Sequence, residues 1–288
     1  MKKSDKEIFE IIEKYIQIIK EILERERLQE ETTHLDYITN TEIVPHDFFS
    51  DTNEELSNEE LSSCDTEQKV LFKDFGKPII LFNDLKSSTK LIEELECKGE
   101  LCIYAIYMYY SSKMMGEILD ILNGKMVECT GDGHYSVFLE DEIDNADIER
   151  KSIHFFDYLE AYLDNNDNFI DIQNYIMTFN FDEVKYISPW LFNNRENRRY
   201  RYLNYRDRFD FEEKLSSEIR ILFFYIFAIF NTEVNLMLED RVNNKFLTRI
   251  GCKQGLCKIT RVDINGHIKQ DKLIGAVVHH SAHQASGK

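Results

Sequence analysis

The stretch 124–140, GKMVECTGDGHYSVFLE, constrains the fold of this chain more than any other. Residues 126–129 read as a short strand. The chain then turns at Gly131-Asp132-Gly133, and residues 135–138 leave as a second strand. Two such runs joined across an Asp-Gly turn spell a β-hairpin. A carboxylate at a hairpin tip is held rigidly and stays hydrated, a setting that suits an ion. Upstream, the apolar run 78–82 ends in Asn83-Asp84 and passes into Ser87-Ser88-Thr89, a helix start. If the two strands are neighbours, Asp84 and Asp132 meet at one edge. Paired carboxylates completed by substrate phosphates are the usual ligands of Mg²⁺ or Mn²⁺. Each Asp alone reads more readily as a turn or cap residue; their joint occurrence reverses that weighting in favour of the metal.

Residues 4–30 read as a helix, because Ile8, Ile11, Ile12, Tyr15, Ile18, Ile19, Ile22 and Leu23 recur at helical spacing. Such a stripe must be buried, against the domain, a second copy of itself or another partner. The expected organisation is an amphipathic N-terminal helix over 1–35, an acidic flexible linker over 36–68, and a main domain over 69–288 with an insert at about 141–215. Within that domain, residues 91–95 and 100–122 read as helical, with Asn123-Gly124 as the stop. Residues 152–163 form a helix. Residues 212–238 form another, with a break expected near Asn231-Thr232. Residues 246–251 and 255–262 read as two strands joined by a turn, with a further turn at 264–266. A last helix starts after Gly275. In the insert, Arg195, Arg198, Arg199, Arg201, Arg206 and Arg208 interleave with tyrosines. That pattern serves intrachain ion pairs, subunit contact or stacking on single strands.

A formal charge of −18 argues against double-stranded DNA as a general partner. It does not oppose a nucleotide, whose phosphates a bound metal can hold. The N-terminus lacks the apolar region of a signal peptide, and the apolar run 219–230 is too short to cross a bilayer. Six cysteines without a CxxC pair fit a reducing compartment, so the expected location is cytoplasmic, with no membrane contact. His279 and His283 share a helical face, but no third zinc ligand lies at useful spacing.

Four pieces in this order resemble the catalytic domain of class III nucleotidyl cyclases: Phe82-Asn83-Asp84 before Ser87-Ser88-Thr89; Gly124, Val127, Glu128 and Gly131-Asp132-Gly133 before Val137-Phe138; Arg249-Ile250-Gly251 through Gly255; and Gly275, Val278, His279, Ala282, His283. The likeness covers residues of about 70–140 and 215–288. Among such cyclases the chain looks most like the bacterial stand-alone pyrimidine cyclases of antiphage signalling. The resemblance implies a ferredoxin-like βαββαβ α/β sandwich, here with a large insert and without the usual C-terminal strands. It implies a homodimer with shared active sites, two Mg²⁺ or Mn²⁺ ions per site on Asp84 and Asp132, and a nucleoside triphosphate substrate. The product would be a 3′,5′-cyclic nucleotide able to activate a separate effector in antiviral defence.

By the same resemblance, Glu128 and Lys272 fall where the family reads the base, in a combination that matches neither the adenine nor the guanine pattern. His279 and His283 stand where the family has an Asn that orients the ribose and an Arg that stabilises the transition state. The Arg that commonly follows the glycine of the Arg-Ile-Gly strand is Leu256 here, with Lys253 or Lys258 as substitutes. UTP is the favoured substrate and CTP the next. A purine nucleotide cyclase and a catalytically inactive interaction or regulatory protein are the alternatives.

Overall fold

A computed structural model describes residues 7–28, 59–60, 68–165, 168–179, 214–264 and 269–286. The Arg–Tyr run, residues 265 and 266 of the turn expected at 264–266, and all of the 36–68 linker except residues 59, 60 and 68 lie outside them.

The elements in chain order are α1 (Glu7–Leu28), β1 (Glu59–Glu60), β2 (Gln68–Asp74), β3 (Ile79–Leu85), α2 (Ser88–Lys98), α3 (Leu101–Ile121), β4 (Lys125–Cys129), β5 (Gly133–Phe138), α4 (Asn145–Asn165), α5 (Phe169–Met177), α6 (Lys214–Met237), β6 (Thr248–Gln254), β7 (Lys258–Ile264), β8 (Lys269–Ile274) and α7 (Ala276–Ser286). The central sheet has the order β4-β5-β3-β6, with every neighbouring pair antiparallel. Helices α2 and α3 link β3 to β4, and α4, α5 and α6 link β5 to β6. This is the ferredoxin-like βαββαβ order, so the fold expected from the sequence is present.

Strands β6 and β7 are the two strands expected there, joined by residues 255–257, but they do not pair with each other. Strand β6 pairs with β3 in the central sheet, and β7 pairs with β2 and β8 in a second sheet of order β1-β2-β7-β8. The reason lies in the two links. Residues 75–78 and 255–257 run side by side, with Phe75 N bonded to Cys257 O (3.0 Å), Cys257 N to Gly76 O (3.1 Å) and Gly255 N to Pro78 O (3.2 Å). The segments β2–β3 and β6–β7 are therefore one long antiparallel ribbon that bends from one sheet into the other. Strand β8, which sequence periodicity did not single out, is paired along β7 and lies against β4.

Each face of the central sheet is packed. Ile79, Leu81, Met126, Phe138, Ile250 and Cys252 join the helical core, and Ile80, Val127 and Val137 join a smaller core with Ile259, Leu273, Val277 and Val278. Alternation along each strand produces this division. Helix α6 is buried on all sides from Ser216 to Thr232, because it lies between the sheet and the helices α1, α4 and α5. A helix enclosed in this way has no solvent face to keep polar. By length and composition it is also the described helix apolar enough to cross a membrane, yet 83% of its apolar window is buried in the fold.

The expected break at Asn231 is absent. Asn231 is fully buried and helical, and its Oδ1 accepts from Tyr107 Oη (2.8 Å). Its Nδ2 donates to Tyr175 Oη (2.9 Å) and Thr248 Oγ1 (2.9 Å). The amide is spent on tertiary partners rather than on the local backbone, so its low helix propensity is overridden. Helix α1 buries Ile8, Phe9, Ile12, Tyr15, Ile19 and Leu23 against α3, α4 and α6. Each such side chain contributes roughly 1.5–3 kcal/mol by leaving water. The ring of Phe9 stacks on Phe155 at 5.1 Å, and Tyr15 Oη donates to Glu117 (2.6 Å).

Candidate active site

Strands β3 and β5 are neighbours, with Asp84 directly opposite Gly133. The hairpin closes onto β3 because residue 133 has no side chain: a Cβ there would sit 2.2 Å from Asn83 O. Leu85 N donates to Asp132 O (3.2 Å), which fixes the tip beside the end of β3. The carboxyl groups of Asp84 and Asp132 are consequently close enough for the Asp132 charge to act on Asp84. Burial pushes the Asp84 carboxyl above its ordinary range; Arg249 opposes this and Asp132 adds to it. The Ser88 hydroxyl, at the start of α2, donates to Asp132. The guanidinium of Arg249, opposite Asp84 on β6, pairs with Asp84.

This donor set fits a divalent cation. Two carboxylates present hard oxygens of the kind Mg²⁺ and Mn²⁺ prefer. Among the described residues no group of three His, Cys, Asp or Glu side chains could hold a metal. An ion on Asp84 and Asp132 would need its remaining ligands from other sources, such as backbone oxygens or water.

The support beneath the pair is hydrogen-bonded. His134, next to the turn, is buried; Asn83 Nδ2 approaches its Nδ1 (3.4 Å) and Ser112 Oγ of α3 lies 2.8 Å from its Nε2. Since Ser112 Oγ donates to Met108 O (2.7 Å), the network is satisfied by the Nε2–H tautomer. On the other flank, Glu94 of α2 accepts from the backbone N and Nδ2 of Asn243 (2.7 and 2.9 Å) and of Asn244 (2.8 and 2.7 Å). Those bonds, the Asn243 backbone first and Lys98 next, pull the Glu94 carboxyl down to about 2. The segment held this way includes Leu247, whose carbonyl accepts from Lys86 N (2.7 Å), two residues past Asp84.

Burial also pushes His134 down, from 6.5 to about 4. Between these values the unfolded chain binds a proton that the folded chain does not, so stability falls as pH drops through this window. Going from about pH 7 to about pH 5, this histidine alone costs about 2 kcal/mol. Urea unfolding at the two values measures the loss, and His134→Gln is expected to remove that share of it. An equal pH dependence in the variant would contradict the assignment.

Residues opposite one another across a sheet project to the same face. Glu128, Tyr135, Phe82 and Gly251 form one such row across the four strands, and Asp84 and Arg249 lie in the next row of that face. Glu128 is half-buried, and the Phe82 and Tyr135 rings approach to 4.5 Å. Lys253 shares the face but sits opposite Ile80, four residues and about 13 Å along the strand from the carboxylates. Lys272 is exposed on β8, the strand that lies against β4 and so near the strand of Glu128. Helix α7 packs on β6 and β3 through Val277, Val278 and Ser281, which leaves His279 and His283 exposed on its outer side. The fold thus unites Asp84 with Asp132 but does not bring the two histidines to them within one chain. Two groups near the pair were not assigned from sequence. Arg249 was visible only as part of the Arg-Ile-Gly motif. Tyr104 of α3, pushed up to about 12 by burial and by the Asp132 and Asp84 charges, gave no signal beyond a helical apolar stripe.

No protein-family model and no curated protein matches the sequence. Solved structures to which the chain is similar include the guanylyl cyclase Cya2, at 12% identity over 77% of this chain and 72% of that one, with a TM-score of 0.36. The adenylyl cyclase CyaB from P. aeruginosa matches at 12% identity over 77% and 74%, with a TM-score of 0.37. A class III adenylyl cyclase-like ATP-binding protein from Pseudomonas aeruginosa matches at 13% identity, with a TM-score of 0.43; the match covers 75% of this chain and 32% of that one. At such scores the fold rests on the strand order of the chain itself, and the site on the geometry of its carboxylates.

Proposed function

We propose that this chain is a nucleotidyl cyclase converting a nucleoside triphosphate, UTP first and CTP next, into a 3′,5′-cyclic nucleotide and pyrophosphate. The observation that carries the reading is the meeting of Asp84 and Asp132 on neighbouring strands. Like charges side by side cost stability; Arg249 offsets that of Asp84 and Ser88 donates to Asp132, and a divalent cation between the two carboxylates would offset both. In this reading Asp84 and Asp132 would hold two Mg²⁺ or Mn²⁺ ions, which would acidify the ribose 3′-hydroxyl and neutralise phosphate charge. The 3′-oxygen attacks the α-phosphorus in line, its proton passes to solvent, and the bond to the bridging oxygen breaks to release pyrophosphate.

The remaining candidates act across a homodimer. Glu128 accepts hydrogen bonds from the base, Lys272 reads the base beside it, and Lys253 assists the phosphates. His279 and His283 stand in for the ribose-orienting and charge-stabilising groups; their exposure on the outer side of α7 suits service to a second copy. The Glu128–Lys272 pair supports a pyrimidine over a purine. A role of the product as a second messenger for an antiviral effector rests on the sequence resemblance alone.

Incubating the purified chain with each of the four nucleoside triphosphates and Mn²⁺, and measuring cyclic nucleotide and pyrophosphate, tests this directly. Cyclic UMP or cyclic CMP is expected. Product from ATP or GTP alone would overturn the base assignment, and no product from any of the four would favour an inactive, interaction-only protein.

A further inference from the structure

Strand β6 lies at the edge of the central sheet, so the backbone groups on its far side need partners from outside the sheet. The ladder shows which groups these are. Lys86 N donates to Leu247 O (2.7 Å), so residues 86 and 247 form a hydrogen-bonded pair. The next pair, Leu85 and Thr248, therefore turns its N–H groups outward. Leu85 N finds Asp132 O in the hairpin (3.2 Å). Thr248 N has no strand beyond it and donates to the Tyr175 hydroxyl of α5 (2.9 Å), in the insert between β5 and β6. That hydroxyl also accepts from Asn231 Nδ2 (2.9 Å). Asn231 Nδ2 donates to Thr248 Oγ1 as well (2.9 Å), and Tyr107 Oη lies 3.1 Å from the same Oγ1. All four residues are buried. Helices α3, α5 and α6 thus grip the first residue of β6 by its backbone and by its side chain.

We infer that Tyr175 is a positioning residue for the carboxylate pair: by holding Thr248 it fixes the end of β6 against β3, and with it the places of Asp84 and Asp132. This rests on reading that pair as a metal site. The path from the phenol to the carboxylates is short. Leu247 and Thr248 lie opposite Lys86 and Leu85, Asp84 directly precedes Leu85, and Leu85 N holds the carbonyl of Asp132. The ends of a ladder open before its middle does, and this end is level with the two carboxylates. A divalent ion needs its ligands at set distances, Mg²⁺ most strictly, so loosening here acts on metal affinity before it acts on the fold. Tyr175 Oη serves two buried donors, and a phenyl ring in its place offers them no acceptor. Helix α5, and through it the insert, is then part of the support of the site rather than an addition to the surface.

The test uses the full chain with Mn²⁺ as the probe, read by calorimetry and by amide hydrogen exchange at a temperature where every variant is folded. Tyr175→Phe keeps the ring beside Phe179 (5.5 Å) and Phe224 (6.4 Å) and removes only the hydroxyl. It is expected to weaken Mn²⁺ binding about tenfold, as losing an outer support of a metal ligand does, and to speed exchange at Leu85 and Thr248 in the metal-free protein. Tyr15→Phe is the control for stability. It removes a phenol that donates to Glu117 (2.6 Å), in the last turn of α3, and should leave Mn²⁺ affinity within about twofold of wild type. Thr248→Val removes the side-chain half of the same grip; it should weaken Mn²⁺ binding in the same direction, and it serves if Tyr175→Phe does not fold. Wild-type affinity in Tyr175→Phe, or an equal loss in Tyr15→Phe, overturns the positioning role. Asp132→Asn tests the site itself. If it binds Mn²⁺ as wild type does, or if wild type binds none, the metal reading fails and this inference fails with it; if only Asp132→Asn loses binding, the metal reading stands and the role of Tyr175 alone is overturned.

Discussion

Asp132→Asn is expected to lower cyclic-nucleotide formation by about a hundredfold to a thousandfold or more, without lowering stability. The first part follows from the chemistry proposed for the pair. A carboxylate that holds a divalent ion supplies charge at the atom where negative charge develops, and losing one such group typically costs at least that factor. The second part follows from the contacts. The Asn side-chain oxygen still accepts from Ser88, and the turn is held by backbone bonds that the substitution does not touch. Removing one of two adjacent charges also relieves the repulsion that helps push Asp84 above its ordinary range. Thermal unfolding of the metal-free variant should therefore occur at the wild-type temperature or above it. Activity lost together with stability would mark a structural role, and activity retained would remove Asp132 from the site. Asp84→Asn should behave differently in one respect, since it leaves Arg249 without its partner.

The second large effect belongs to a residue that touches no ligand. A Cβ on Gly251 would lie 1.7 Å from Ser281 O and 2.7 Å from Ser281 C, both backbone atoms of α7. Helix backbone cannot step aside as a flexible side chain can, so even Gly251→Ala must lift α7 off the sheet. The loss then spreads. Gln284 of α7 accepts from Cys252 N (2.7 Å) through its side chain and from Arg220 (3.2 Å) through its carbonyl, and Arg220 Nε also donates to Ile250 O (3.0 Å). These bonds cover the outer edge of β6, which would otherwise expose unpaired strand groups. We expect Gly251→Ala to cost about 3 kcal/mol or more, and Gly251→Val to prevent folding. Gly116 in α3 is the control: nothing lies within 4 Å of a Cβ there, so Gly116→Ala should stabilise by about 0.5–1 kcal/mol. Chemical denaturation of the three variants measures the contrast. A Gly251→Ala protein as stable as wild type would mean that α7 does not pack on β6 as described.

The sequence by itself determined the local elements and the two acidic positions. The hairpin around Asp132, the strand ending in Asp84, the helix stop at Asn123-Gly124 and the last helix after Gly275 all appear where short-range pattern put them, because alternation, helical spacing and turn residues act over a few neighbours. What the tertiary structure decided is every choice of partner over long range. It sent β6 and β7 into different sheets, since their link pairs with residues 75–78, far away in sequence. It kept Asn231 inside α6, since three buried groups from other elements satisfy its amide. It set Arg249 on Asp84, a contact between residues 165 positions apart that no local pattern encodes. Short-range order is written in steric and hydrophobic preferences of adjacent residues; which charge meets which is fixed only when the register of distant strands is.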